Sequence, residues 1–290
     1  MSIAERLANL SMLQVLIVVI VLLVLRYVLL KQKSNSAKSA AEIAESLAIA
    51  MALVFFIIRP FIVQAFFIPS ASMRPTLLEK DHILVNKFIY RFKEPKLADV
   101  VVFKAPPEAT QGEEKDFIKR VVGVPGDTAR ITKGYVLIGE TPYYHEDLRD
   151  MLSRYARDDG DGKIKLINGK VLLDGSIVTA AEVAAASDTP DAKVKVVPGK
   201  VYLNGKPLHE SYVAEDPERD YPNDLTPQKW IVVDKQGNQM VKIPRGRLLV
   251  MGDNRNDSND SRYWGLLERK RILGKAMFIF WPLNRIRWVR

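Results

Sequence analysis

Between Leu10 and Leu25 the chain reads LSMLQVLIVVIVLLVL without one charged residue, and the apolar run resumes after Arg26 through Tyr27, Val28, Leu29 and Leu30. About 20 apolar residues in a helix reach across the hydrocarbon of a bilayer, so this stretch is expected to be a membrane span. A cleaved leader would carry a basic start, a shorter apolar centre and a small-residue cleavage site. Here Glu5 and Arg6 precede the run and LLKQK follows it, which favours an anchor that stays attached. A second apolar stretch, LAIAMALVFFII from Leu47 to Ile58, is extended by AKSAAEIAES on its N-terminal side and bounded by Arg59 and Pro60. Its uninterrupted part is short for a span, and the flanking alanines supply the rest. The expected spans are therefore about 10–30 and 43–63, within an anchor of residues 1–65.

Orientation follows from the loop between them. Lys31, Lys33 and Lys38 lie there, and Lys and Arg concentrate in cytoplasmic loops, so two spans place everything after residue 65 outside the cytoplasm. A single span would keep it inside. The formal net charge of +9 raises the question of nucleic acid, but no nucleic-acid-binding module accompanies it. Near the C-terminus Arg269, Lys270, Arg271, Lys275, Arg285, Arg287 and Arg290 are mixed with Phe280, Trp281 and Trp288. Beside a membrane anchor that mixture suits anionic lipid headgroups, although a solvated basic face has the same composition. The chain has no cysteine, which excludes disulfides, thiolate metal sites and cysteine nucleophiles together.

From residue 81 the chain reads as short strands. HILVNKF, DVVVFKA, FIKRVVGV, RLLVMG and KAMFIFW are rich in Val, Ile and Phe and bounded by Pro, Gly and Asp, which predicts a mainly β domain. Between Asp127 and Lys242 lies a long insertion with a loose repeat: GYVLIG from Gly134, GKVLLDG from Gly169 and GKVYLNG from Gly199. Asp174-Gly175 and Asn204-Gly205 are hairpin turns, so the repeats are expected to be stacked hairpins. DLRDMLSRYA from Asp147 and AAEVAAAS from Ala180 read as helices. The run RDDGDGK from Arg157 lacks the spaced ligands and closing glutamate of a calcium loop and reads as a solvated loop.

Three histidines, His82, His145 and His209, sit next to strands or turns in settings that suggest no catalytic pairing. A hydrolase would have to find its base elsewhere. Where the second apolar run ends, FFIPSASMRPTL places Ser70 and Ser72 two apart between Pro69 and Pro75. If extended, that stretch projects both hydroxyls to one side, so one could attack while the other donates a hydrogen bond. A Ser- and Pro-rich linker leaving a membrane helix would read the same way. In FIKRVVGVPGD, Lys119 sits among Phe117, Ile118, Val121 and Val122. Burial there would bring its pKa from about 10.4 toward the range a general base needs, whereas a strand-edge lysine would keep its ammonium in water. MGDNRNDSNDSRYWG from Met251 packs many polar groups at a strand end and predicts a hydrogen-bonded network.

Taken together, PSASMRPTL, LADVVVF, KRVVGVPGD and GDNRNDSNDSRYWG, in this order after two apolar runs, closely resemble the sequence boxes of bacterial type I signal peptidases. The likeness covers residues 66–77, 97–103, 118–127 and 251–265, with weaker likeness in the apolar runs and in VYLNGKPL. Two departures are Ala98, where the family usually has Gly, and Asn256-Asp257, where Asp-Asn is familiar. The resemblance implies a signal-peptidase/LexA-like β catalytic core from residues 66–127 and 243–290, with 128–242 as a β-rich insertion. It implies Ser72 as nucleophile, Lys119 as general base, and Ser70 with the Ser72 N–H as the oxyanion hole. Ser258 would orient Lys119, and Asp253, Asp260 and Arg262 would be structural residues near the site, the last two as an ion pair. Phe66, Ile68 and Ile118 are candidates for the pockets that receive small side chains. The implied activity is removal of signal peptides from exported preproteins after small-x-small (Ala-x-Ala-like) sites, with no metal or organic cofactor. The implied partners are preprotein signal peptides, membrane phospholipids and the secretion machinery, and not nucleic acid. The implied location is the bacterial cytoplasmic (inner) membrane, with the catalytic domain on the outer (periplasmic) side. A self-cleaving Ser/Lys regulator would show a DNA-binding segment instead of the anchor. A membrane-tethered β-domain that binds export partners without activity remains a rival, against which intact Ser72 and Lys119 argue.

Overall fold

The computed structural model describes residues 11–32, 34–58, 62–155 and 161–290. Leu10, Lys33, Arg59, Pro60, the Glu5-Arg6 start and Arg157 to Gly160 of the charged run lie outside them. The first apolar run forms helix α1 (Met12–Leu30), opened by a capping box in which Ser11 Oγ accepts from the Gln14 N–H. Its 19 residues extend about 29 Å, the thickness of a bilayer's hydrocarbon. Helix α2 (Asn35–Ala52) continues as a π-helical turn over Leu53–Ile58. It therefore begins at Asn35 rather than near residue 43. The cause is the spacing of small residues: Ala37, Ala41, Ala44 and Ala48 are all buried, a face narrow enough for α1 to approach, with Val15 and Val19 packed on Ala48. Glu45 joins Arg26 across the pair at 2.9 Å. Leu13, Leu16, Ile17 and Ile20 of α1 point outward. Both helices are long and apolar enough to cross a membrane.

Strand β1 (Val63–Phe67) follows, then β2 (His82–Asn86), β3 (Val100–Lys104), β4 (Asp116–Gly123) and β5 (Thr128–Thr132). A lobe follows, made of β6 (Tyr135–Ile138), β7 (Thr141–Tyr143), helix α3 (His145–Leu152), β8 (Ile164–Ile167), β9 (Lys170–Leu173), β10 (Ser176–Val178), helix α4 (Ala180–Ala186) and β11 (Val194–Val197). The chain then returns through β12 (Lys200–Leu203), β13 (Lys206–Pro207), β14 (Ile231–Val233) and β15 (Gln239–Lys242). It ends with β16 (Arg247–Met251), β17 (Leu267–Glu268), β18 (Ile272–Trp281) and β19 (Arg287–Trp288). The fold is mainly β, and the strand pairs are antiparallel. The five apolar runs read from the sequence become β2, β3, β4, β16 and β18.

These five strands belong to one sheet with order β1-β2-β18-β3-β4-β16-β17, β19 pairing with β18. The stretch from 128 to 242 serves two cores. Strands β13-β12-β5-β15-β14 form a second sheet, whose Ala129, Ile131, Val201 and Val241 pack with Val122, Leu249 and Met251 of the first. The lobe instead encloses Val136, Leu148, Leu152, Leu166 and Val183 in its own core. Each repeat opens a hairpin, and the three lie in different sheets: β6-β7 and β9-β10 pack into one core through Val136, Ile138, Val171 and Leu173, while β12-β13 belongs to the other through Val201. Asp174-Gly175 and Asn204-Gly205 turn with φ of 47° and 80°, and 51° and 78°, the double-positive pattern that suits a tight hairpin. Asn168-Gly169 makes a third such turn, between β8 and β9.

Candidate active site

The segment after β1 is pinned from both sides. Ile68 exchanges backbone hydrogen bonds with Lys80 and Asp81, and Met73 and Leu77 are fully buried. Ser70 is extended, at φ −133° and ψ 159°, but Ala71–Met73 close into a 3-10 turn. The serines thus do not alternate along one straight strand. Drawing Met73 and Leu77 into the core bends the chain, and the bend brings Ser70 Oγ to 3.4 Å from Ser72 Oγ, to which it donates.

Lys119 reaches the same point from the middle of β4. Its side chain is buried, with Nζ 2.8 Å from Ser72 Oγ and donating to the Ile118 carbonyl at 2.9 Å. Burial lowers its pKa to about 8, against the opposing pull of the Asp260 and Asp253 carboxylates and with help from Arg262. Near neutrality a useful fraction of the amine is therefore unprotonated, and at 2.8 Å the arrangement has the geometry a general base needs toward a hydroxyl.

The loop after β16 closes over this pair. Asp260 and Arg262 form a buried ion pair, with Nε and Nη2 donating to the two carboxylate oxygens at 2.9 and 2.8 Å. Burial alone would push the Asp260 carboxyl up; the Arg262 guanidinium and the Gly252 N–H outweigh it and hold it below the usual carboxylate range. Ser258 Oγ lies against Gly252, near enough to Asp260 to favour its ionised form, but within the described residues it makes no hydrogen bond, to Lys119 or to any other group. Asp253 is fully buried and grips Arg120 with both oxygens, at 2.8 and 2.6 Å.

Arg120, Tyr212 and Glu210 are not among the expected site residues, whereas Asn254 and Arg255 belong to the polar run expected to form a network. Arg120 neighbours Lys119 and points to the opposite face of β4, where it also donates to the Ala98 carbonyl at 2.9 Å and to Thr76 Oγ1 at 3.2 Å. Its guanidinium lies over Tyr212, 4.0 Å from the ring centre. Asn254 holds the turn that carries Ser72: its N–H donates to the Ser72 carbonyl at 3.1 Å and its Nδ2 to the Ala71 carbonyl at 3.2 Å. Glu210 pairs with buried Arg255 through both oxygens. A charged pair, Lys119-Arg120, inside an apolar strand was the available signal for Arg120. Nothing local marked Glu210 or Tyr212. The departures from the familiar pattern also have structural settings. Ala98 sits at φ 68°, a left-handed conformation that favours glycine. Asn256 ties the loop to residues 216–218 by accepting from the Glu218 N–H and donating to the Asp216 carbonyl, each at 3.0 Å.

Phe66, Ile68 and Ile118 join one apolar cluster with Met73, beside Ser72. Two backbone edges are unpaired nearby among the described residues: β1 pairs only with β2, and Asp116 to Ile118 of β4 pair only with β3, since pairing to β16 starts at Arg120. The histidines stand apart. His82 packs between Phe67 and Phe280, His145 is buried in the lobe, and His209 is exposed.

The chain matches the family model described as "Signal peptidase, peptidase S26" over residues 40–188 and 188–281. Among curated proteins, Signal peptidase I of Leptolyngbya laminosa is 31% identical over 79% of this chain and 74% of its own length. Signal peptidase I of Aquifex aeolicus is 32% identical over 83% of each chain. Probable signal peptidase I-2 of Synechocystis is 28% identical over 88% of this chain and 80% of its own. The chain belongs to the signal peptidase family, peptidase S26, and is a signal peptidase enzyme.

Proposed function

We propose that this chain is a membrane-tethered serine endopeptidase that removes signal peptides from exported preproteins, with Ser72 as nucleophile and Lys119 as general base. The observation that carries the reading is the 2.8 Å approach of a buried Lys119 Nζ to Ser72 Oγ. In acylation, neutral Lys119 takes the Ser72 proton as Oγ bonds to the scissile carbonyl carbon. The oxyanion is received by the Ser70 hydroxyl and the Ser72 N–H. Lys119 then returns the proton to the leaving amine as the C–N bond breaks, freeing the mature protein. It next takes a proton from water, whose oxygen attacks the ester, and the proton passes back to Ser72 Oγ as the signal peptide leaves.

Specificity follows from the surroundings. An extended peptide pairs with the unpaired backbone beside Ser72, which gives affinity without demanding a sequence. The apolar walls of Phe66, Ile68 and Ile118 leave room for small side chains, hence cleavage after small-x-small patterns such as Ala-x-Ala. Two spans and the lysines between them support a location of residues after about 65 on the outer face of a bacterial cytoplasmic membrane. There β1 begins a few residues beyond α2, at the height where an emerging signal peptide presents its cleavage site. The catalytic core is assigned to residues 66–127 and 243–290, and 128–242 to the insertion.

The test is cleavage of a detergent-solubilised preprotein bearing an Ala-x-Ala site, with the new N-terminus identified by mass. Wild type cuts after the last Ala and Ser72→Ala does not. A cut elsewhere overturns the specificity, and no cut by folded wild type returns the chain to a non-catalytic export partner.

A further inference from the structure

Behind the nucleophile's segment lies a cleft of about 560 Å³ that takes no part in the reaction, lined by Pro75, Thr76, Tyr212, Arg287, Trp288 and Arg290. Its charge is unbalanced. Other arginines around this face have a carboxylate: Arg74 pairs with Glu79, Arg120 with Asp253, and Arg285 with Asp81. Among the described residues none lies within ion-pair distance of Arg287 or Arg290. Arg287 Nη2 donates to the Thr76 carbonyl at 2.7 Å and to the Pro75 carbonyl at 3.5 Å, which leaves its Nε and Nη1 for a ligand. Arg290 is held by its backbone, whose carbonyl accepts from Arg120 Nη2 at 3.1 Å, leaving its exposed side chain at the cleft.

Two guanidinium groups with no Asp or Glu side chain in ion-pair reach among the described residues, in a cleft also lined by Trp288 and Tyr212, make a receptor for an oxyanion with several acceptor oxygens. The rim adds a second property. Trp281, Leu283, Ile286 and Trp288 are all exposed, on the same C-terminal hairpin as the two arginines. Large exposed apolar side chains beside a cationic cleft suit an amphiphile, its head in the cleft and its tail on the strip.

We infer that this cleft binds a phosphate-bearing anion through Arg287 and Arg290. The site is also wired to the reaction centre. Arg287 holds the Thr76 carbonyl, and Thr76 Oγ1 donates at 2.5 Å to Asp253, the partner of Arg120. An occupied cleft therefore stiffens the segment that follows Ser72. The inference does not depend on which peptide bond the enzyme cuts.

The experiment is thermal unfolding of the full chain in a non-ionic detergent at fixed ionic strength. Added in turn are dihexanoylphosphatidylglycerol, dihexanoylphosphatidylcholine and inorganic phosphate. A saturable rise in Tm of roughly 2–4 °C is expected with the anionic lipid at about tenfold over half-saturation. A rise with the lipid alone identifies a headgroup as the source, and an equal rise with inorganic phosphate identifies a soluble anion. The rise is lost in the Arg287→Gln/Arg290→Gln double variant. It is lost too in Arg290→Glu, which alters only an exposed side chain and leaves the protein folded. Equal shifts with the zwitterionic lipid, no shift with any anion, or a wild-type response from Arg290→Glu would overturn the assignment.

Discussion

The guanidinium of Arg120 and the carboxylate of Asp253 meet as a fully buried fork, Nε and Nη2 each donating to a separate oxygen at 2.8 and 2.6 Å. One partner comes from β4 beside Lys119, the other from the loop that covers Ser72, so this contact fixes the strand and the loop against each other. Breaking such a pair from one side leaves a charge buried without its partner. Asp253→Ala is expected to destabilise the protein by about 3–5 kcal/mol, and the paired change Arg120→Met/Asp253→Leu by clearly less. Denaturant melts of the three proteins check this; a double variant as unstable as Asp253→Ala contradicts it.

The proposed role of Lys119 as general base makes its proton loss the expected control of rate at the acid side. Its pKa is lowered to about 8, so turnover is expected to rise as pH passes up through that value and to fall tenfold per unit well below it. A log kcat/KM profile flat from pH 5 to 8 excludes lysine as the base.

The same shift has a cost in stability. Because the folded pKa of about 8 lies below the unfolded value near 10.4, the unfolded chain binds the extra proton between them, and the protein gains stability as pH rises through that window. Below it the penalty is fully present. Lys119→Met removes the penalty, keeps the volume, and is expected to stabilise by about 2–3 kcal/mol at pH 7 while abolishing turnover. A less stable Lys119→Met protein, in thermal melts at pH 7, refutes that reading.

Ala98 carries a left-handed backbone in a chain segment whose carbonyl receives Arg120 Nη1. Ala98→Gly relieves this strain and is expected to add about 1 kcal/mol of stability with turnover unchanged. A lower melting temperature in Ala98→Gly counts against the strain.

Asn254 spans the turn of the nucleophile with its backbone and its amide. Asn254→Ala keeps the first contact and loses the second, so kcat is expected to drop roughly tenfold with KM nearly constant. A change confined to KM would assign Asn254 to substrate binding instead.

Legibility in the sequence followed the range of the interactions. Strands β2, β3, β4, β16 and β18 and the turns at Asp174-Gly175 and Asn204-Gly205 are local events, written in apolar runs and residues that tolerate positive φ. The proximity of Ser72 and Lys119 was reached through motif resemblance, because nothing in a strand's alternation reports what a distant loop brings to it. The start of α2 was misplaced because its alanines were read as flanks of an apolar core, while Ala37, Ala41 and Ala44 are its packing face. Arg120 and Glu210 became visible only with their partners, since a buried ion is identified by what neutralises it.

The most direct test of Lys119 as base to Ser72 is turnover of an Ala-x-Ala preprotein by Lys119→Ala, with folding confirmed by its melting curve. With Lys119 Nζ 2.8 Å from Ser72 Oγ and, among the described residues, no histidine hydrogen-bonded to it, cleavage is expected to fall to the level of Ser72→Ala across the pH range. Turnover close to wild type by a folded Lys119→Ala protein would contradict the Ser/Lys assignment.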